Sequence, residues 1–309
     1  MQLFQKTNIG FIEKRKAAYI LSISLIVIGI ISIVIHGGPN YGIDFKGGTA
    51  VVFKFQDDVT TVEIRNALNK IGLGNSEIKR FGNTHKEFLV YIQQQKDISP
   101  DDLVDQVEKT LQDEFQKPVE KLQVDTVGPK IGEELRNKAV WAILWSLVLI
   151  LVYISIRFEF VFAVGAIIAL FHDVTITLGI FSLLDFEISL KEIAAFLTIV
   201  GYSLNDTIVV FDRIRENLKV MRNEDLGTII NTSINQTLSR TVITSGTTFI
   251  VVLVLFLFGG TVIRGFAFAM CVGVIVGTYS SIFVASPLIL EWQGRHGGTR
   301  ELKMAKKKK

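Results

Sequence analysis

Cysteine is almost absent from this sequence of 309 residues, which contains only Cys271. A single cysteine excludes an internal disulfide and a metal site built from cysteines. Histidine is also scarce, with four residues, and His36, His85 and His296 are scattered along the chain. The HExxH and GxSxG signatures of metal-dependent and serine hydrolases are missing. We therefore expect no catalytic residues, no metal and no cofactor.

Apolar residues, by contrast, are abundant. They make up 49% of the sequence, the mean hydropathy is +0.40, and there are 22 phenylalanines. The charges are uneven, because residues 37–138 carry a small excess of acidic residues and the rest of the chain an excess of basic ones. This pattern favours a basic membrane part with a mildly acidic soluble domain over a nucleic-acid-binding protein. We expect membrane lipid around the chain and no nucleic-acid partner.

Six apolar runs are each long enough, at 1.5 Å per residue, to cross about 30 Å of hydrocarbon. The first follows three consecutive basic residues and has full spanning length without a small-residue cleavage site. It therefore predicts an uncleaved transmembrane helix and not a signal peptide. The runs cover Ala17–Ile35, Ala139–Ile156, Val161–Leu184, Ile193–Phe211, Val242–Phe258 and Phe266–Leu290.

Basic residues in the short connections are concentrated on the side that holds both termini. Cytoplasmic loops carry the excess of lysine and arginine in membrane proteins, so we predict that both termini are cytoplasmic. Residues 1–36 are then the N-terminus and first helix, and 37–138 form a periplasmic or extracellular domain. Residues 139–290 hold helices two to six, and 291–309 form a basic cytoplasmic tail.

The predicted external domain has the element order β-α-β-β-α-β, which is typical of a ferredoxin-like fold. Runs rich in β-branched and aromatic residues predict the strands, and a turn at Gly82-Asn83 joins the second to the third. Ser99 followed by proline predicts the start of the second helix. The predicted strands are Gly48–Phe55, Ser76–Phe81, Glu87–Ile92 and Val119–Val127, and the first helix is Val62–Leu73.

Asp206 is a carboxylate with apolar residues on both sides in the fourth run. It lies about 20 Å into the span, where a carboxylate is costly and usually marks an ion path or a partner charge. The alternative is that the helix ends near Leu204 and Asp206 caps it among the headgroups. Small or polar residues beside it at helical spacing indicate a surface that faces other helices or water. These residues are Thr198, Gly201, Tyr202 and Asn205.

Arg240, at the start of the fifth run, is the predicted charge partner of Asp206. It begins a polar face that continues through Thr244, Thr247 and Thr248. A helix movement that changes the separation of the two charges would change the proton occupancy of Asp206, so the pair predicts a proton relay. The alternative is an anchor arginine that extends its charge to the membrane surface.

His172 and Asp173 fall at the midpoint of the third run. Two interpretations remain open. They form a hydrogen-bonded pair that joins helices, or they are a secondary relay, together with Asn205 and Thr244, because histidine titrates near neutrality. In the sixth run, small residues at every fourth position indicate close helix packing. They are Ala269, Gly273, Gly277, Ser281 and Ala285.

The glycine-rich segment Tyr41–Thr49 lacks the Gly-Lys-Ser/Thr end of a phosphate-binding loop, and it follows a membrane span instead of a strand. Its glycines indicate a tight passage from the membrane into the external domain.

Together these segments resemble the SecD/SecF family of protein-export membrane proteins. The resemblance runs almost end to end and is most specific in Gly201–Asn217 and Thr237–Thr248. It implies six helices like half of a resistance-nodulation-division (RND) transporter in a bacterial inner membrane, with a ferredoxin-like periplasmic domain between helices 1 and 2. The family's transmembrane aspartate and arginine fall on Asp206 and Arg240. Its motif after helix 1 falls on Gly42, Asp44, Phe45, Gly47 and Gly48.

The resemblance also implies partners. SecD would supply the pseudo-symmetric other half, and the pair would assist the SecYEG channel and SecA in exporting an unfolded polypeptide. We therefore expect a non-enzymatic translocase subunit that uses protons. The alternatives are half of a proton-coupled RND-type exporter of small molecules or lipids, and a structural assembly factor that conducts no protons. The signatures of an intramembrane protease are absent.

Overall fold

The structure, a computed structural model, describes residues 7–82, 85–93 and 98–295. The predicted turn residue Asn83, His296 and most of the predicted basic tail lie outside these residues. Six described helices are long and apolar enough to cross a membrane, so the chain is a multi-pass membrane protein. They are α1 (Arg15–Ile35), α5 (Pro129–Arg157), α6 (Phe160–Leu183), α7 (Leu190–Val220), α8 (Leu226–Phe258) and α9 (Thr261–Ser280). A π-helical turn, Ser281–Ala285, continues α9 into α10 (Ser286–Arg295).

Between α1 and α5 lies a small domain with an antiparallel sheet of four strands, β1 (Gly48–Phe55), β2 (Glu77–Arg80), β3 (Glu87–Ile92) and β4 (Val119–Val127). The strands lie in the order β2-β3-β1-β4. This order, with the two crossover helices, confirms the predicted ferredoxin-like fold. Phe53, Phe88 and Leu111 are fully buried in its core. The helices are α2 (Ile43–Lys46), which precedes β1, α3 (Thr61–Asn69) between β1 and β2, and α4 (Pro100–Phe115) between β3 and β4.

Local sequence signals explain where these elements begin. Thr60 and Glu63 form a capping box at the start of α3, which satisfies backbone N–H groups that have no partner within the helix. The Ser99 hydroxyl caps α4 by accepting a hydrogen bond from the Asp102 N–H, and proline follows Ser99. Helix α5 begins at Pro129, well before the apolar run predicted from Ala139, because proline fits the first turn and the polar segment after it continues the helix.

Small residues allow the membrane helices to approach closely. A side chain on Gly29 of α1 would meet the backbone of Gly179 on α6, with its Cβ 2.7 Å from the Gly179 Cα. Gly273 and Gly277 of α9 lie against Ile199 and Ser203 of α7 in the same manner. The predicted small-residue surface of the sixth span is therefore the packing face between α9 and α7.

Candidate functional site

Asp206 lies inside the continuous helix α7, which excludes the alternative in which the helix ends near Leu204. Its side chain is only 3% exposed. The Ser245 hydroxyl of α8 donates a hydrogen bond to Asp206 Oδ2 at 3.0 Å. The Thr278 hydroxyl of α9 in turn donates a hydrogen bond to Ser245 Oγ at 2.7 Å. The carboxylate therefore sits at the meeting point of three membrane helices.

Arg240 does not form the expected ion pair with Asp206 within 4.0 Å; Ser245 is the hydrogen-bond partner that the structure gives this carboxylate. The Arg240 side chain is exposed and lines a polar cleft of about 1050 Å³ between α7 and α8. Thr244 lines the same cleft, together with Asp212 and Glu216 of α7. Arg240 and Ser245 project from different sides of α8, and the Ser245 side faces the protein interior, so Arg240 as the charge partner of Asp206 stays a prediction.

Asp173 is the centre of a second buried cluster. His172 Nδ1 lies 2.8 Å from Asp173 Oδ1, and His172 Nε2 lies 2.9 Å from Ser22 Oγ of α1. Ser203 of α7 and Ser280 of α9 both donate to Asp173 Oδ2, the latter at 2.8 Å. This cluster joins four helices, an arrangement that favours the interpretation of His172 and Asp173 as a hydrogen-bonded pair between helices.

A line of buried hydroxyl residues runs along α8 toward Asp206. Ser233, Thr237, Thr241 and Ser245 recur at every fourth position, and all four are buried. At its far end, the Asn217 amide donates to Ser233 Oγ at 2.8 Å. The Thr241 hydroxyl has no hydrogen-bond partner among the described residues. We call this set the hydroxyl line.

A different polar face of α7 and α8 points away from the rest of the chain. Thr198, Gly201 and Asn205 are exposed on α7, as are Arg240 and Thr247 on α8. Asn205 therefore lies on this exposed face, whereas its neighbour Asp206, about 100° further around the helix, is buried. A polar face on membrane helices usually meets another protein surface or a water-filled cavity and not lipid.

The motif after α1 forms a compact turn beneath the sheet domain. Gly42 precedes the short helix α2, and Gly47 and Gly48 have φ angles of 73° and 118°, which favour glycine. Phe45 is buried against the start of the membrane bundle. Asp44 Oδ2 accepts a hydrogen bond from the Leu190 N–H at 2.9 Å. Asp44 therefore helps to cap α7, the helix that carries Asp206.

The loop 184–189 between α6 and α7 holds the sheet domain by charged contacts. Lys79 Nζ of β2 lies 3.2 Å from Glu187 Oε1 and 3.7 Å from Asp185 Oδ2. Tyr91 of β3 donates a hydrogen bond to Glu187. Burial lowers the pKa of Lys79, but Glu187 and Glu77 outweigh it and raise that pKa above the ordinary value. Burial and the Glu187 charge also raise the pKa of the Tyr91 hydroxyl, so it stays a donor. We call these contacts the domain latch.

Sequence models of known families match most of this chain. The model described as "Protein export membrane protein SecD/SecF, C-terminal" matches residues 106–295, and the "SecD/SecF GG Motif" matches residues 32–59. The chain belongs to the SecD/SecF family. The second match covers the turn that caps α7, and the first covers α5 to α10 with both buried aspartates.

Individual members of the SecD/SecF family are similar over nearly the whole length. A protein translocase subunit SecF from Rhodothermus marinus is 45% identical over 99% of this chain and 100% of its own length. One from Desulfurispirillum indicum is 49% identical over 93% of each chain. The crystal structure of SecDF, a translocon-associated membrane protein from Thermus thermophilus, matches with a TM-score of 0.85 and 42% identity. That match covers 93% of this chain but only 39% of the longer SecDF chain.

Sequence reasoning missed the serines that hold the two carboxylates. Ser203, Ser245 and Ser280 each lie in an apolar or mixed segment, and nothing in their local sequence distinguishes them from other small residues. The one available signal was spacing, since Ser245 follows Thr237 and Thr241 at every fourth position. A hydroxyl residue in a membrane helix predicts a hydrogen bond to a carboxylate only when the helix that faces it is known.

Proposed function

We propose that this chain is a proton-driven accessory subunit of a protein translocase, and that Asp206 carries the proton. The observation that supports this most is the state of Asp206 itself. It is a buried carboxylate at membrane depth that has a hydroxyl partner and no cation within ion-pair distance among the described residues. A negative charge held in this way is costly, so Asp206 would take up a proton at this depth. It would release the proton only when water or a cation approaches the carboxylate.

The hydroxyl line offers a route from one membrane surface to this carboxylate. Successive residues of the line are one helical turn apart, about 6 Å along α8, and waters between them would complete a chain of hydrogen bonds. Arg240, at the edge of the neighbouring cleft, would adjust the charge state of Asp206 when the helices shift. His172, Asp173, Asn205 and Thr244 would act as helix-joining or secondary polar groups and not as the main carrier.

The exposed polar face of α7 and α8 supports a second chain as partner. The similar SecDF chain is more than twice as long as the part matched here, so a SecD-like half would cover this face and close the proton route. The further proposed partners are the SecYEG channel, SecA and a secreted polypeptide. The sheet domain would lie in the periplasm and both termini in the cytoplasm.

Movement would reach the sheet domain through two sets of contacts described above. Asp44 caps the helix that carries Asp206, and the domain latch ties β2 and β3 to the loop before that helix. Each proton that crosses supplies about 2.3 kcal/mol per 100 mV of membrane potential. Several such steps would let the domain alternate between two orientations, with the latch contacts broken in one and formed in the other.

The test is the Asp206→Asn variant, which keeps the shape of the side chain and removes its charge. Export of a model secretory protein into energised membrane vesicles is expected to fall to the rate measured without a proton gradient. Asp212→Asn is the matched control on the same helix, because Asp212 is partly exposed and pairs with Arg157 at 3.6 Å. Undiminished proton-dependent export by Asp206→Asn, at wild-type protein levels, would overturn the proposal.

A further inference from the structure

An outward-facing groove of about 430 Å³ lies between α1, α6 and α10, away from both buried aspartates. Its wall is apolar and is formed by Val161, Val164 and Ile168 of α6 and by Leu288 of α10. Lys16, near the first residue of α1, lines the same groove. The groove is therefore apolar along its length and charged at one end.

The positions along α6 give the depth of the groove. Val161, Val164 and Ile168 follow at helical spacing on one face, beginning one residue after the start of α6 at Phe160. Seven residues at 1.5 Å each place Ile168 about 10 Å below Val161. Because α1 also begins at this end, Lys16 lies at the level where α6 enters the membrane. An occupant must therefore have a polar end at the surface and an apolar body of at least this length.

Glu291 of α10 also lines the mouth of the groove, but Arg15 beside the groove pairs with it, so Arg15, Lys16 and Glu291 together carry one net positive charge. Arg15 Nε lies 2.9 Å from Glu291 Oε1, so these two residues neutralise each other. Lys16 has no carboxylate within ion-pair distance among the described residues. Trp292 lies at the same end of the groove and is 36% exposed, and tryptophan is typical of the headgroup level of a membrane.

A buried polar atom lies beside this charge. The ring of Tyr19 lines the groove, and its hydroxyl is buried without a hydrogen-bond partner among the described residues. Buried hydroxyls nearly always have a partner, so one without a partner at a groove mouth indicates a missing acceptor. A phosphate oxygen is such an acceptor.

We propose that this groove binds one anionic phospholipid. The headgroup phosphate contacts Lys16 and the Tyr19 hydroxyl, and one acyl chain lies along Val161, Val164 and Ile168. This site does not depend on the proposed proton route, since it shares no side chain with Asp206 or with the hydroxyl line. It would fix the tilt of α1 against α6 at the membrane surface.

Tryptophan fluorescence gives a direct test. The chain has three tryptophans, so replacing Trp141 and Trp145 with phenylalanine leaves Trp292 as the reporter in the groove. The full chain is placed in phosphatidylcholine vesicles that contain a small share of brominated phosphatidylglycerol or of brominated phosphatidylcholine. We expect brominated phosphatidylglycerol to quench Trp292 with an affinity about fivefold higher, the factor that one lysine contributes near an anionic lipid.

Lys16→Gln should abolish this preference, and Lys14→Gln, which removes an exposed charge outside the groove, should leave it unchanged. Val164→Phe fills the apolar wall and should reduce quenching by both lipids. Equal quenching by the two lipids, or an equal loss in Lys14→Gln, would overturn the proposal in favour of general surface charge. Native mass spectrometry of the chain with all its tryptophans gives a second readout, in which retained phosphatidylglycerol should fall in Lys16→Gln and not in Lys14→Gln.

Discussion

The two buried aspartates of this protein are the same residue type at similar depth, yet their surroundings differ. Asp173 accepts hydrogen bonds from Ser203 and Ser280 and contacts His172, so both of its oxygens are satisfied. Asp206 has a hydrogen bond to the Ser245 hydroxyl alone among the described residues. A carboxylate with hydrogen bonds to both oxygens, which we call saturated, fixes its neighbours in place. A carboxylate with fewer hydrogen bonds, which we call unsaturated, can change its charge and its partners. The contrast teaches that the number of donors, more than burial, separates a structural carboxylate from a candidate proton carrier.

The largest expected effect is on stability, and it should separate the two aspartates. Asp173→Ala leaves two serine hydroxyls and a histidine nitrogen without their shared acceptor in the protein interior. We expect the free energy of unfolding to fall by about 4 kcal/mol. Asp206→Ala leaves only Ser245, whose hydroxyl can bond a backbone carbonyl of its own helix, and should cost about 1 kcal/mol.

Thermal unfolding of the purified full chain in one detergent measures this difference. Asp212→Ala is the control for loss of an exposed carboxylate and should change the melting temperature little. Equal destabilisation by Asp173→Ala and Asp206→Ala would break the contrast between a saturated and an unsaturated site.

The fold was more predictable than the site because it depends on local patterns. The bounds of β1 and β4 follow from alternation and β-branched composition, and Ser99 marks the start of α4 without any knowledge of the rest of the chain. The position of Asp206 within a membrane helix was equally predictable. Its partner was not, because α8 carries two adjacent stripes of hydroxyl residues. Sequence cannot tell whether the stripe of Arg240 or that of Ser245 faces inward.

The domain latch shows the same limit at longer range. Lys79 and Glu187 are 108 positions apart in sequence, and neither lies in a motif that predicts their contact. Asp44 was expected only as part of a family motif. Its role at the start of α7 becomes evident once the turn at Gly47 and Gly48 brings it to that helix. Contacts of this kind depend on how the domain sits on the bundle, which local patterns do not encode.

A smaller effect should distinguish two serines that each donate to one aspartate. Ser203→Ala removes one donor of several from Asp173, and Ser245→Ala removes the donor to Asp206. Each variant should lower the free energy of unfolding by about 1 kcal/mol. Only Ser245→Ala should also slow proton-dependent export, because it alone changes the surroundings of the carrier.

Export rates for both variants, normalised to the amount of folded protein, make this comparison. Thr110→Ala on α4 is the control for the loss of a hydroxyl, since the Thr110 hydroxyl bonds the Gln106 carbonyl of its own helix and lies far from both aspartates in sequence. A loss of export in Ser203→Ala equal to that in Ser245→Ala would move the functional role from Asp206 to the wider polar interior.

The smallest expected effect is on the pH dependence of the domain latch. If the latch does not respond to pH, the pH dependence of export comes from the buried aspartates. Lys79 has a pKa raised above 10.5, so its charged contacts contribute stability that is complete below that value and is lost as pH rises through the higher folded-state pKa. The latch should therefore be unchanged between about pH 6 and 9. Lys79→Gln should lower the rate of export at every pH in this range by the same factor, with Lys54→Gln, on strand β1 of the same sheet, as the exposed control. Asp206→Asn should instead flatten the pH profile. A changed profile in Lys79→Gln would mean that the latch, and not the unsaturated carboxylate, responds to protons.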